Sequence, residues 1–365
     1  MTANEFVVKQ GRIQALLDAC NLDALLLRRA SSFAWATCGA SSFINMASTE
    51  GEAALLFAPS GRDVLTNQVE SPRLEQEEKL ADSGWRIVAN PWHEPGTSLQ
   101  ALTKGLKVGT DVPAPGFTDL SREVSRLRAR LLPEEGDRFR DVGRICAEAM
   151  SIAAGATLPG QTEHEIAAHL AAETVRRGAQ PVVILVATDD RIFRFRHPLP
   201  TDKRLQKYAM LVLCARKWGL VGSITRFVHF GALPDELQRK SEAVARVDAA
   251  FIGATRPGRP LRDVFADGVA AYAAEGYAEE WRLHHQGGAA GYEPREFLGT
   301  PQKTESVVEG QAYAWNPSIT GTKSEDTVLV GRDHFEVITA MDGWPTVRVA
   351  AGGMEIERPA IKVIT

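Results

Sequence analysis

Cysteine is scarce in this chain: Cys20, Cys38, Cys146 and Cys214 are the only four among 365 residues. They form no Cys-x-x-Cys pair and are too few and too scattered for a disulfide framework, so a reduced, cytoplasmic setting is expected. Long apolar runs are missing too. The best, Pro181 to Ala187 and Tyr208 to Cys214, are strand-sized and far short of the roughly 18 residues of a membrane span. The opening segment, MTANEFVVKQGR, has no basic stretch followed by an apolar core, so no secretory signal is read there. Nor is charge of one sign in excess. The net charge of −4, with both signs interspersed, gives no reason to expect nucleic acid or an anionic membrane as partner. Internal repeats and low-complexity tracts are absent.

Two familiar motifs fail as well. His164 and His169 are five apart, not at the i, i+4 spacing of a zinc-binding HExxH helix, and read as surface residues. Gly287-Gly288 lacks the following helix or lysine that would complete a phosphate cradle.

What remains is the composition of an ordinary globular protein, 44% hydrophobic and 24% charged, with length for two domains. Residues 7 to 30 read as a helix followed by a buried strand at Asp23-Ala-Leu-Leu-Leu. Glu52 to Phe57 and Arg86 to Ala89 read as strands and Ser98 to Leu106 as a helix, an α/β pattern. The charged Pro/Gly-bearing segment after Leu131 is the expected boundary, giving domains 1–131 and 132–365. Beyond it, helices are expected at Glu134 to Gly155, from Thr162 to about Gly178, at Leu233 to Thr255 and at Leu261 to Gly276. Strands are expected at Pro181 to Ala187, Ala209 to Cys214, Val221 to Phe230, Gln311 to Trp315, Thr327 to Val330 and Phe335 to Thr339, which makes this half α+β. The alternation in Arg191-Ile-Phe-Arg194-Phe-Arg196 suggests a half-buried strand with a charged face.

Several segments of this half then resemble one known family in order. They are Pro159-Gly160-Gln-Thr-Glu163-His-Glu165, Arg196-His197-Pro198, Gly222-Ser-Ile-Thr225-Arg226, His284-x-x-Gly287 with Gly291 and Glu296, Asn316-Pro317, and Ser324-Glu325-Asp326-Thr327. Together they resemble the creatinase/aminopeptidase P/prolidase (M24) family. The resemblance implies a pita-bread domain, a curved antiparallel sheet flanked by helices, preceded by a smaller creatinase-like α/β domain. It also implies a homodimer.

In metal-dependent members of that family two Asp, one His and two Glu hold two divalent ions, which share an activated water. Matched one at a time, those positions fall on Val212, Ser223, Gly288, Asn316 and Glu325, and only Glu325 keeps its type. A metal-free relative is therefore expected, with no cofactor. Creatinase, of the same family, works without metal through a histidine matching His197, whose unperturbed pKa suits proton transfer near neutral pH.

The function implied is a metal-independent hydrolase or lyase acting on a C–N bond of a small, carboxylate-bearing substrate. His197 would be its general acid/base. Arg194, Arg196, His284, Arg295, Asn316 and Glu325 would hold the substrate, arginines being suited to bidentate carboxylate contacts. Valine at 212 and glycine at 288 would give the substrate the room that metals occupy in relatives. The alternative is a catalytically silent pita-bread protein binding a small molecule or another protein through the same pocket or surface; a true Xaa-Pro metallopeptidase ranks behind both, because four of the five ligand types are lost.

Overall fold

The computed structural model describes residues 3–94 and 96–365. Two compact units are evident, one running to Arg128 and including Trp218–Leu220, the other comprising Ala129–Lys217 and Val221–Thr365. In the first, the run Ala24-Leu25-Leu26-Leu27 lies inside a six-stranded mixed sheet. Leu25 pairs with Phe57 antiparallel on one side and with Gly109 parallel on the other. All four residues are completely buried, which explains why the run is continuously apolar instead of alternating. The helix expected from Ser98 is shorter, Thr97–Leu102, and gives way to Gly105 at φ +80°.

The second unit opens with the helix Pro133–Gly155, started by a proline in its first turn and by Glu135, whose carboxylate accepts from the Leu132 N–H at 2.7 Å. The helix Glu163–Arg176 begins with a reciprocal capping box: Thr162 Oγ1 accepts from the Glu165 N–H, and Glu165 Oε2 accepts from the Thr162 N–H. These helices cover a four-stranded sheet of Gln180–Thr188, Tyr208–Lys217, Leu220–Phe230 and Lys362–Ile364. A five-stranded antiparallel sheet contains Gly287–Ala290, Ala312–Trp315 and Asp326–Val330, with Phe297–Leu298 and Phe335–Val337 at its edges. Phe251 and Phe265, from the helices Asp235–Ala254 and Leu261–Ala274, join Tyr313 and Trp315 in the core against it.

The two sheets meet along one seam. The Thr327 hydroxyl donates to the Ser223 carbonyl (3.0 Å) and accepts from the Ser223 N–H (2.8 Å), while the Thr225 N–H donates to the Glu325 carbonyl. This α+β arrangement is the pita-bread domain, and the unit before it is α/β.

One local expectation fails. The Arg191–Arg196 stretch is not a strand; Asp190–Arg194 forms a short helix. Asp189, at φ 50°, turns the chain there and its carboxylate accepts from the N–H groups of Gln206, Lys207 and Tyr208. Those bonds, to a segment 17 to 19 residues further on, outweigh the local alternation. Among the described residues no helix is long and apolar enough to cross a membrane.

Candidate active site

An apolar wall comes first. Val183 and Leu185 sit opposite Cys214 and Val212 on the neighbouring strand, and period-two alternation turns all four to one side. With Pro294 they line a cavity of about 270 Å³, whose other wall is His197, His285, Arg295, Asn316, Lys323 and Glu325.

Glu325 organises the polar wall from the seam between the sheets. It is 2% exposed. Its Oε2 accepts from Lys323 Nζ at 2.7 Å and from the Thr225 hydroxyl at 2.6 Å, and its Oε1 accepts from Arg295 Nη2 at 2.9 Å. Burial opposes its ionisation, but the Lys323 and Arg295 charges and the hydrogen bonds of Lys323 and Thr225 outweigh burial and hold it below the usual carboxylate range. Arg295 also donates to the Pro294 carbonyl and to Ser223 Oγ. Two fixed cations thus share one anion, a local net charge of +1.

Three imidazoles complete the polar side. His197 Nε2 and His284 Nε2 are 2.9 Å apart, and the His285 ring centroid lies 4.6 Å from that of His284 and 5.6 Å from that of His197. Burial and then the Lys323 charge push His284 down to about 2, while burial and the Arg295 charge push His285 down to about 4. His197 is lowered by burial and by Lys323. All three are therefore neutral at pH 7. His284 Nδ1 is buried and unpartnered. The two Nε2 atoms share one proton, and the tautomers of the two rings decide which of them donates it. Gln286 holds the loop, donating to the His284 carbonyl at 2.6 Å and accepting from Tyr272. The Cys214 thiol is pushed up by burial and by Glu325, so it stays protonated and is no nucleophile.

The model of metallopeptidase family M24 matches residues 137–349, more than half of the chain. The chain belongs to family M24. Uncharacterized peptidases of Staphylococcus aureus are 24% identical over 313 residues, covering 78% of this chain and 87% of theirs. The structure of an Xaa-Pro dipeptidase from Bacillus anthracis superposes with a TM-score of 0.79 at 19% identity, over 98% of this chain and all of that one. The N-terminal domain of a FACT complex subunit from chickpea, Cicer arietinum, has the same fold, with a TM-score of 0.71 at 14% identity over 93% of this chain and 97% of that one.

The residues of this M24 chain do not fit a pair of divalent ions. At the five positions matched to ligands, Val212 is part of the apolar wall and Ser223 is hydrogen-bonded to Arg295. Asn316 offers an amide, and Glu325 is committed to two cations. Gly288 is closed: a Cβ there would stand 2.2 Å from the Phe297 carbonyl oxygen, so no side chain fits. The room for substrate expected at Gly288 is therefore filled by backbone, and only the Val212 side faces the cavity. The ligand atoms of His197, His284 and His285 lie within 4.8 Å of one another. Yet the same Lys323 and Arg295 charges that disfavour imidazolium also disfavour a dication there.

The cavity gathers His197, Arg295, Asn316 and Glu325, with His284 directly behind His197. It does not gather Arg194 or Arg196. Arg194 is 68% exposed and paired with Asp190; Arg196 is held by Glu280 at 2.6 Å and by Thr320. Their guanidinium groups have carboxylate partners, and neither lines the cavity. Arg226 braces the fold through Asp326 at 2.8 Å. Sequence reasoning missed Lys323. Its signal is position: two residues before Glu325 on an extended segment, it must share that residue's side.

Proposed function

We propose that this M24 chain is a metal-independent hydrolase cleaving a C–N bond in a small carboxylate-bearing substrate, with His197 as the general acid/base. The observation that carries the reading is the pairing of Glu325 with Lys323 and Arg295 across the positions that metals require, beside a neutral, hydrogen-bonded His197. In hydrolysis a water oxygen attacks the carbon of the C–N bond while His197 takes the water proton. The same proton passes to the departing nitrogen as the C–N bond breaks, so acid and amine leave and the imidazole is neutral again. With the shared proton on His197 Nε2, His284 accepts it and fixes the ring, which leaves His197 Nδ1 as the basic atom; the two fixed cations stabilise negative charge developing on the substrate.

The test uses chelator-treated protein with Xaa-Pro dipeptides, N-acyl amino acids and guanidino acids, following released amine by mass spectrometry. Turnover that persists in chelator and falls roughly 10²–10⁴-fold in His197→Ala supports the reading. Turnover that needs added Mn or Co, with nearly two ions retained per chain, overturns it. The B. anthracis dipeptidase and the chickpea FACT subunit share this fold. Ligand binding with no turnover would therefore move the chain to a binding role.

A further inference from the structure

We propose that Lys323 is the specificity-determining residue of the cavity, and that it selects a small branched aliphatic carboxylate. The inference deepens the functional reading above and rests on the cavity being its ligand site, but it does not require turnover. Lys323 is 8% exposed, and its ammonium group has three N–H donors. Among the described residues one partner is seen for it, Glu325 Oε2 at 2.7 Å, which leaves donors for a molecule in the cavity. Glu325 cannot balance both cations, so the polar wall carries an uncompensated positive charge. Beside it the Asn316 side chain is 2% exposed and its Oδ1 has no partner; the amide can turn either its oxygen or its NH₂ inward. The opposite wall, Val183, Leu185, Val212 and Pro294, is aliphatic. A carboxylate against Lys323 with a branched alkyl group against Val212 and Leu185 satisfies both walls at once. An amine would meet two fixed cations, and a neutral amide would leave the charge unanswered.

The probe is isovalerate, titrated into the full chain and followed by ligand-observed NMR, with isovaleramide and isoamylamine as isosteric controls. Isovalerate is expected to bind saturably, with amide and amine at least about tenfold weaker. Lys323→Met is expected to weaken isovalerate by at least about tenfold, and Lys323→Arg to retain most of the binding. If Lys323→Met does not fold, the acid, amide and amine comparison on the wild-type protein decides alone. Equal binding of acid and amide, isovalerate binding to Lys323→Met as to wild type, or no saturable isovalerate binding each overturns the proposal. None of these results touches His197-dependent hydrolysis of another substrate, so the two readings fail separately.

Discussion

Acid should unfold this protein partly through His284, and the size of the effect follows from its surroundings. The side chain is 9% exposed, and burial followed by the Lys323 charge and the neighbouring imidazoles pushes it down to about 2. In the unfolded chain it titrates near ~6.5. The folded value is the lower one, so the unfolded state binds the extra proton. Stability is then intact above pH 6.5 and declines as pH falls through the window down to about 2. One such group contributes about 1.4 kcal/mol per pH unit within the window. Between pH 6.0 and 4.5, above most carboxylate titrations, the loss is about 2 kcal/mol. The perturbation is His284→Asn, which keeps a polar side chain but cannot bind that proton. Urea unfolding of both proteins, followed by tryptophan fluorescence at pH 7.5, 6.0 and 4.5, gives the difference in stability at each pH. Wild type should lead at pH 7.5, where its hydrogen bond to His197 is intact, and that lead should shrink by about 2 kcal/mol from pH 6.0 to 4.5. A lead that does not change with pH would show that His284 is not held neutral by burial, and the account of the histidine group would fall with it.

Two further perturbations probe the seam between the sheets. Glu325→Gln removes the anion shared by Lys323 and Arg295, and breaking a buried pair of this kind costs about 3–5 kcal/mol by urea denaturation. Adding Lys323→Met to that variant should recover part of the loss, and strictly additive effects would count against the shared pairing. Gly288→Ala places a Cβ 2.2 Å from the Phe297 carbonyl and should destabilise by more than about 2 kcal/mol; a stable, unshifted variant would mean that the position is open after all.

The pita-bread unit was legible because its long helices announce themselves. Pro133 and the Thr162/Glu165 box start two of them where periodicity and acidic first turns placed them, and the apolar run Tyr208 to Cys214 became a buried strand. The Arg191–Arg196 stretch misled because its alternation is local, whereas Asp189 beside it grips three N–H groups 17 to 19 residues further on. The arginines flanking His197 misled for a related reason. A guanidinium near a candidate histidine in sequence says nothing of a distant glutamate, and Glu280, 84 residues on, holds Arg196. Conversely, Lys323 sat in plain view two residues from the retained Glu325. Its role depends on Arg295 arriving from the loop before Phe297–Leu298 to share the same carboxylate, a three-body arrangement that no spacing rule encodes.

Charge accounting shows why the lost ligands and the new lysine belong together. In the family pattern, two Asp and two Glu set four negative charges against the four positive charges of two divalent ions, and the site is close to neutral. Here Val212, Ser223 and Asn316 remove three of those carboxylates, and one, Glu325, remains. An isolated carboxylate buried to 2% exposure would be strongly disfavoured without a countercharge. Lys323 and Arg295 supply that countercharge in excess, so the wall changes from nearly neutral to net positive. A metal pair that coordinates and activates a water is replaced by side chains that cannot leave and cannot activate it as metals do. Such a wall can attract and orient an anion, and on the function proposed above proton transfer falls to the His197 imidazole held by His284.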